Sequence, residues 1–372
     1  MMRLLRIVII GMLLLACALH HTWSGRRVYN YGKYFANQPY LQQIGMPSQL
    51  KLPETGLIVA VIDIGMDLSH PAYKNKLIEN DFRGESAIYP EDEACLAHGT
   101  AVASLIAAES REMIGIAPNV KLLPVCIGVP NPKGYEDIAT TYYKMEPKDF
   151  IKLAQDPDKL KRFKEFAEAR KKIILKNCAN AIRYAVDHGA KVINMSFTTL
   201  QDTQYIADAV RYAASKGVVL VAGTGNSGNE GIGYPAKFKE VIAVGGVDEN
   251  DVWWYEEKQL EGIPIPIRQG SNYGDGIDVV APCCNLLHAF PTQLSDTIYQ
   301  TTGCGTSLAT SLATPLVTGL AALILSLNPT LSVEEVKQLI IMGCDDLGDA
   351  GWDHKYGYGR FNVGKTLTLM KK

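Results

Sequence analysis

Three short segments of this chain carry residue types that, brought together, perform acyl transfer. Asp63 ends the apolar run 57–62 and is followed by Ile64-Gly65-Met66-Asp67. His98 opens the segment His98-Gly99-Thr100-Ala101-Val102-Ala103-Ser104, whose small residues permit close helix packing and which predicts a histidine at the start of a helix. The segment Gly305-Thr306-Ser307-Leu308-Ala309-Thr310-Ser311-Leu312-Ala313-Thr314-Pro315 runs into the apolar helical stretch 316–327 and sets a serine near a helix N-terminus. A hydroxyl nucleophile, an imidazole base and a carboxylate that orients the imidazole are the parts of nucleophilic catalysis. Singly each has a blander reading, since an aspartate at a strand end caps turns and a lone histidine is more often structural. Convergence alone makes them a site.

The elements that would bring them together are legible as short β-branched runs alternating with helical patterns. The runs 57–62, 120–125, 190–195, 218–222 and 241–244 are apolar and bounded by glycine or polar residues, and apolar residues recur at helical spacing over 179–185 and 205–215. This alternation predicts βαβ units and a parallel sheet covered on both faces. A carboxylate at the carboxyl end of such a strand stands where open α/β sheets place their sites. The stretch 145–172 breaks the rhythm: it is rich in lysine and glutamate, with Leu153, Leu160, Phe163, Phe166 and Ala169 on one side. It reads as a charged helical insertion, at about 127–175, that is either a solvated surface feature or a cap over the cleft. Near the C-terminus, Ser332 followed by Glu335 predicts a helix opened by a capping box.

Composition bounds the function classes. With 372 residues, 47% hydrophobic and 20% charged, the chain can bury a large core. A net charge of -2 gives no basis for a nucleic-acid partner held by counterion release. The opening Met1-Met2-Arg3-Leu4-Leu5-Arg6 is basic and the following ten or so residues are apolar, which reads as a signal peptide over 1–17 and an exported protein. Leu14-Leu15-Ala16-Cys17 resembles a lipobox, in which Cys17 would be lipidated and anchor the chain to a membrane; Ala16-Cys17-Ala18 also fits ordinary cleavage and secretion. Residues 18–38 then read as an N-terminal tether before the main domain, 39–372. The eight cysteines show no metal-ligand spacing, and no disulfide pairing is assigned from them.

The order Asp, His, Ser and the motifs around them resemble the subtilisin-like serine peptidases. Further landmarks in that order are Gly115-Ile116-Ala117-Pro118, Val192-Ile193-Asn194-Met195-Ser196, Gly225-Asn226, Tyr234-Pro235-Ala236, Ile242-Ala243-Val244-Gly245, Asp278-Val279-Val280-Ala281-Pro282 and Tyr356-Gly357-Tyr358-Gly359-Arg360-Phe361-Asn362. The resemblance implies a three-layer α/β fold with a mostly parallel central sheet, and an endopeptidase acting on polypeptides with a broad preference for apolar side chains. It implies that Asp63 orients His98, that His98 is the base, and that Asn226 helps form the oxyanion hole. Ser196, Phe197 and Thr198 match the substrate-binding edge, with Thr198 in place of glycine narrowing the cleft. No cofactor is implied; structural calcium is common in relatives, but no ligand loop stands out here.

The nucleophile is where the pattern is broken, because Ser-Leu-Ala-Thr occurs twice. Gly-Thr-Ser points to Ser307, and Ser-Leu-Ala-Thr-Pro points to Ser311. Extra residues fit more easily in the preceding loop than inside a buried helix, which favours Ser311 and keeps Ser307 as second candidate. If neither serine meets His98 and Asn226, the chain is a catalytically inactive peptide-binding module. His70 belongs to the same pattern and is read as structural, while Cys95 and Cys304 lie close in sequence to the candidate residues.

Overall fold

The computed structural model describes residues 26–371 except 86, 89–92, 139–144, 146, 202, 260–265 and 304–308. The signal segment, Cys17, Cys304 and Ser307 therefore lie outside the described residues.

The described chain opens with an antiparallel pair, β1 (Arg26–Asn30) and β2 (Gln49–Pro53), joined through a 3-10 turn and a short helix α1 (Tyr40–Gln43). β3 (Ile58–Asp63) then enters the centre, followed by β4 (Ala87–Ile88), α2 (Glu93–Ala107), β5 (Lys121–Cys126) and β6 (Val129–Pro130), which pairs back on β4. Helices α3 (Pro147–Ala154) and α4 (Pro157–Asp187) occupy the charged stretch; α4 continues without a break into the apolar pattern at 179–185. β7 (Ala190–Met195), α5 (Gln204–Ser215), β8 (Val219–Gly223) and β9 (Val241–Val247) follow. Two antiparallel pairs, β10 (Tyr255–Lys258) with β11 (Ile267–Gly270) and β13 (Leu286–Ala289) with β14 (Tyr299–Thr302), flank β12 (Val279–Pro282). Helices α6 (Ala309–Leu327), α7 (Val333–Met342) and α8 (Val363–Leu369) close the chain. Ser332 and Glu335 form the expected capping box on α7.

The central sheet has six strands in the order β12-β9-β8-β7-β3-β5, all parallel. The α/β fold with helices on both faces is the one the strand pattern predicts. The period-2 alternation of its strands sorts side chains onto two faces. Val59, Val61, Val192, Val219 and Val221 pack with α2 and α6, whereas Ala60, Ile62, Ile193, Met195 and Leu220 pack with α4 and α5. Helix α6 is apolar nearly all round and buried along almost its whole length, which marks it as the core helix of the first layer. Each fully buried aliphatic side chain on it contributes about 1.5–3 kcal/mol.

One expectation is corrected here. From residue 26, the stretch read as a tether belongs to the folded domain. Tyr31 is buried and its hydroxyl donates to the Ile116 carbonyl at 2.8 Å, and Gln38 exchanges two hydrogen bonds with Ile114 at 2.8 and 2.9 Å. Three tyrosines at 29, 31 and 34 offer more apolar area than a solvated linker would leave in water.

After β3 the chain is held by Asp67, which is 1% exposed. Its carboxylate accepts from the Ser69 N–H and hydroxyl (2.8 and 2.6 Å), the Thr292 N–H and hydroxyl (2.9 and 2.7 Å) and the Gln293 amide (3.1 Å). Burial works against the ionised form, but these donors outweigh it and bring the carboxyl pKa from 3.8 down to about 2. Because the folded-state pKa is depressed, this stabilisation is present above about pH 4 and is lost as pH falls toward 2. Asp67→Asn is therefore expected to lower the unfolding free energy by about 1–3 kcal/mol at pH 6, with the gap to wild type closing between pH 4 and pH 2 in urea titrations. A gap that stays constant to pH 2 would contradict this assignment.

Candidate active site

Chain order explains where the site forms. The chain passes from β3 to β5 on one side, then returns to the other side of β3 with β7 and goes on to β8, so the segments leaving the carboxyl ends of β3 and β7 run in opposite directions. Such a switch point leaves a crevice. Asp63 is the last residue of β3, and Ser196 follows the last residue of β7. Asp63 shares the parity of Val59 and Val61, and Ser196 that of Val192, so both point toward α2 and α6.

His98 meets Asp63 from α2. Its Nδ1 lies 2.7 Å from Oδ2 and 2.9 Å from Oδ1 of the carboxylate, and Oδ1 also accepts the Ile64 N–H at 2.8 Å. The close approach depends on Gly99, where a Cβ would overlap the Gly65 carbonyl and stand 3.1 Å from Asp63 Cβ. Thr100 fastens the same turn, accepting the Asp67 N–H at 2.9 Å while donating to Leu96 at 2.7 Å. His98 sits in the second turn of α2 rather than at its start. The preceding Glu-Ala-Cys-Leu-Ala has high helix propensity and extends the helix backward. Burial disfavours the imidazolium, but the charge of Asp63 and its hydrogen bond outweigh that and raise the His98 pKa above 6.5.

Ser311 is the third residue of α6. Its Oγ donates to the Ser196 carbonyl at 3.1 Å, and the Ser196 hydroxyl donates back to the Ser311 carbonyl at 2.8 Å. That carbonyl is available because Pro315, four residues on, has no N–H to close the helical turn. Asn194 donates to the Ser196 hydroxyl at 2.9 Å and accepts from Thr318 at 2.9 Å, so one buried amide ties β7 to α6 at two heights. Asn226 accepts from both the N–H and the hydroxyl of Thr310, at 3.0 and 2.6 Å, which turns its Oδ1 toward the helix N-terminus and fixes the amide plane. Among the described residues no hydrogen bond joins His98 to Ser311. Ser196 connects them, since it also lines a cavity of about 230 Å³ with Asp63 and His98.

Phe197, Ile127 and, from α4, Ile174 and Cys178 complete the apolar side of that cavity. The C-terminal half of α4 thus forms a wall of the cleft. Burial pushes the Cys178 thiol up to about 12, leaving it neutral and unsuited to nucleophilic attack. Thr198 donates to the Gly223 carbonyl at 3.2 Å. His70 is buried, with Nε2 facing the Ile298 carbonyl at 3.0 Å and Nδ1 accepting the Ala72 N–H at 3.2 Å, a structural role. Cys284 is disulfide-bonded, whereas Cys126, Cys178, Cys283 and Cys344 carry free thiols. Among the described residues no cluster of three or more His, Cys, Asp or Glu side chains is arranged to hold a metal ion.

Asn194 and Pro315 stand in motifs legible in the sequence, but the hydrogen bonds that make them, with Thr318, part of the site are seen only in the fold. Proline four residues after Ser311, with none four after Ser307, is the signal that distinguishes the two serines.

The His98–Asp63 contact makes a measurable claim. In an NMR titration with His98→Gln as the assignment control, the His98 ring is expected to titrate above 6.5, and in Asp63→Asn, where burial acts unopposed, below 6.5. A wild-type midpoint at or below 6.5 would contradict it.

Comparison with known proteins supports the same grouping. The model of the subtilase family (Peptidase_S8) matches residues 54–159 and 166–359. A thermophilic serine proteinase of Bacillus sp. (strain AK1) is 31% identical over 306 residues, covering 82% of this chain and 60% of the relative. Subtilisin DY of Bacillus licheniformis is 32% identical over 311 residues, covering 82% of this chain and 88% of the relative. The crystal structure of fervidolysin from Fervidobacterium pennivorans superposes with a TM-score of 0.63 at 24% identity, over 91% of this chain and 47% of fervidolysin, a likeness of fold. The chain thus spans 60% of the length of the first of these relatives and about half of fervidolysin. With the family model matched over most of its length and the residues of the three motifs gathered at one switch point, the chain belongs to the subtilase family.

Proposed function

We propose that this chain is a serine endopeptidase in which Ser311 is the nucleophile, His98 the general base and Asp63 the group that orients and stabilises the imidazolium. The observation that carries the reading is the pairing of His98 with Asp63 at a cavity also lined by Ser196, whose carbonyl accepts from Ser311. With Nδ1 engaged by the carboxylate, His98 presents Nε2 for proton transfer. Rotation about Cα–Cβ turns the Ser311 hydroxyl from the Ser196 carbonyl toward Nε2. Its proton passes to His98 as Oγ attacks the scissile carbonyl carbon. The resulting oxyanion is stabilised by the Asn226 side-chain N–H and the Ser311 backbone N–H in the first turn of α6. Collapse of the intermediate returns the proton to the leaving amine and leaves an acyl ester on Ser311. Water, deprotonated by His98, releases the acid by the reverse sequence.

Polypeptides are the substrates this chemistry implies, laid along residues 196–198 as an added strand. The basic and then apolar residues 1–16 support an exported enzyme, and Leu14-Leu15-Ala16-Cys17 supports membrane attachment through a lipidated Cys17. A second reading, an inactive peptide-binding module, is favoured by one observation: Ser311 is hydrogen-bonded to Ser196 and not to His98. Apo geometry of this kind does not by itself remove a catalytic role.

A fluorophosphonate probe followed by peptide mapping separates these readings. Labelling is expected at Ser311, persisting in Ser307→Ala and abolished in Ser311→Ala, and Asn226→Ala is expected to lower kcat about a hundred- to a thousandfold. Labelling at Ser307 would overturn the register. No labelling of the folded protein would favour the peptide-binding module.

A further inference from the structure

Residues 196–199 leave β7 and residues 223–226 leave β8, side by side, because β7 and β8 are adjacent parallel strands. A gap runs between the two segments. At one end stand the Ser196 carbonyl, 3.1 Å from Ser311 Oγ, and Asn226, bonded to Thr310. At the other end the gap is closed, where Thr199 and Tyr234 exchange two backbone hydrogen bonds of 2.8 Å. Gly225 and Gly233 bring bare backbone to its walls, and Gly223 presents its carbonyl there.

Thr198 reaches across it. Its hydroxyl donates to the Gly223 carbonyl at 3.2 Å, fixing the rotamer. Its methyl group stands 3.4 Å from where a Cβ on Gly225 would be, and a Cβ on Gly233 would overlap that methyl. The side chain therefore occupies the space that the glycines leave. Thr198 is itself exposed, so it is the surface that an entering side chain meets.

The proposal rests on the serine peptidase reading above. With an acyl carbon on Ser311 Oγ and its oxygen directed to Asn226, the residue that carries this carbonyl lies over the gap, with its side chain directed into it. We propose that Thr198 fills this recess and limits the residue on the N-terminal side of the scissile bond to glycine, alanine or serine. A longer side chain there must displace a packed, hydrogen-bonded threonine, a misfit of the kind that separates substrates by about 10- to 200-fold.

The test is kcat/KM for a series of peptidyl aminomethylcoumarins that differ only in that residue: Gly, Ala, Ser, Leu or Phe. Wild type is expected to favour Ala over Phe and Leu by at least about tenfold, Thr198→Gly to reverse the ratio by a similar factor, and Thr198→Val, which keeps the volume, to preserve it. Thr198→Ala serves as the opening variant should Thr198→Gly fail to fold. Equal cleavage after Phe and Ala by wild type, or a ratio unmoved by opening the recess, overturns the assignment of Thr198. Ser311→Ala is run alongside: cleavage that persists in it, or none in wild type, overturns the peptidase reading and this inference with it, whereas Ser311-dependent cleavage indifferent to residue size overturns this inference alone.

Discussion

The site depends on one hydrogen bond between the sheet and its core helix, from the Ser196 hydroxyl to the Ser311 carbonyl at 2.8 Å. Pro315 creates the need for it by removing the N–H that would otherwise close the helical turn on that carbonyl. A buried carbonyl without a partner costs about 1–3 kcal/mol, so any rotation or slide of α6 that breaks this contact is opposed. Asn194 extends the restraint by about two turns through Thr318. Helix register, and with it which serine faces the crevice, is set by polar groups in an otherwise apolar interface. Buried polar networks of this kind specify an arrangement as much as they stabilise it.

The second requirement is electrostatic. Asp63 is 5% exposed and accepts His98 through both oxygens, so the imidazole is held in one plane and one tautomer. Burial alone would favour neutral histidine; the carboxylate reverses the balance and makes a protonated His98 easier to form. That is the property a base needs when it takes a proton from a weak acid such as serine. Gly99 sets the distance, since any side chain there would push α2 away from β3. The neighbouring thiol, Cys178, is raised to about 12 by the same burial and does not compete.

Much of this was legible in the residues. The apolar runs gave the parallel strands, and the parity of 59, 61 and 63 along one strand decides which face Asp63 takes. The Ser-Leu-Ala-Thr-Pro motif and the lower cost of lengthening a loop both point to Ser311; why the proline matters there, freeing the Ser311 carbonyl for Ser196, is seen only in the fold. The small residues after His98 suggest that the helix starts there, whereas helix propensity continues backward through 93–97 and adds a turn before it. The tether was misread because tyrosines 29, 31 and 34 look like surface residues until the pocket that buries them is known. The filling of the recess by Thr198 is invisible in sequence, since it depends on Gly225 and Gly233 and on the Gly223 carbonyl, which come from two other segments.

Asp63, His98 and Ser311 are held to act as one unit, and the rates of Ser311→Ala, His98→Ala and the double variant on a single peptide amide test that most directly. The account predicts that each single variant loses about as much activity as the double, because removing either member disables the whole unit. Losses that multiply in the double variant, or activity retained in Ser311→Ala, would contradict it.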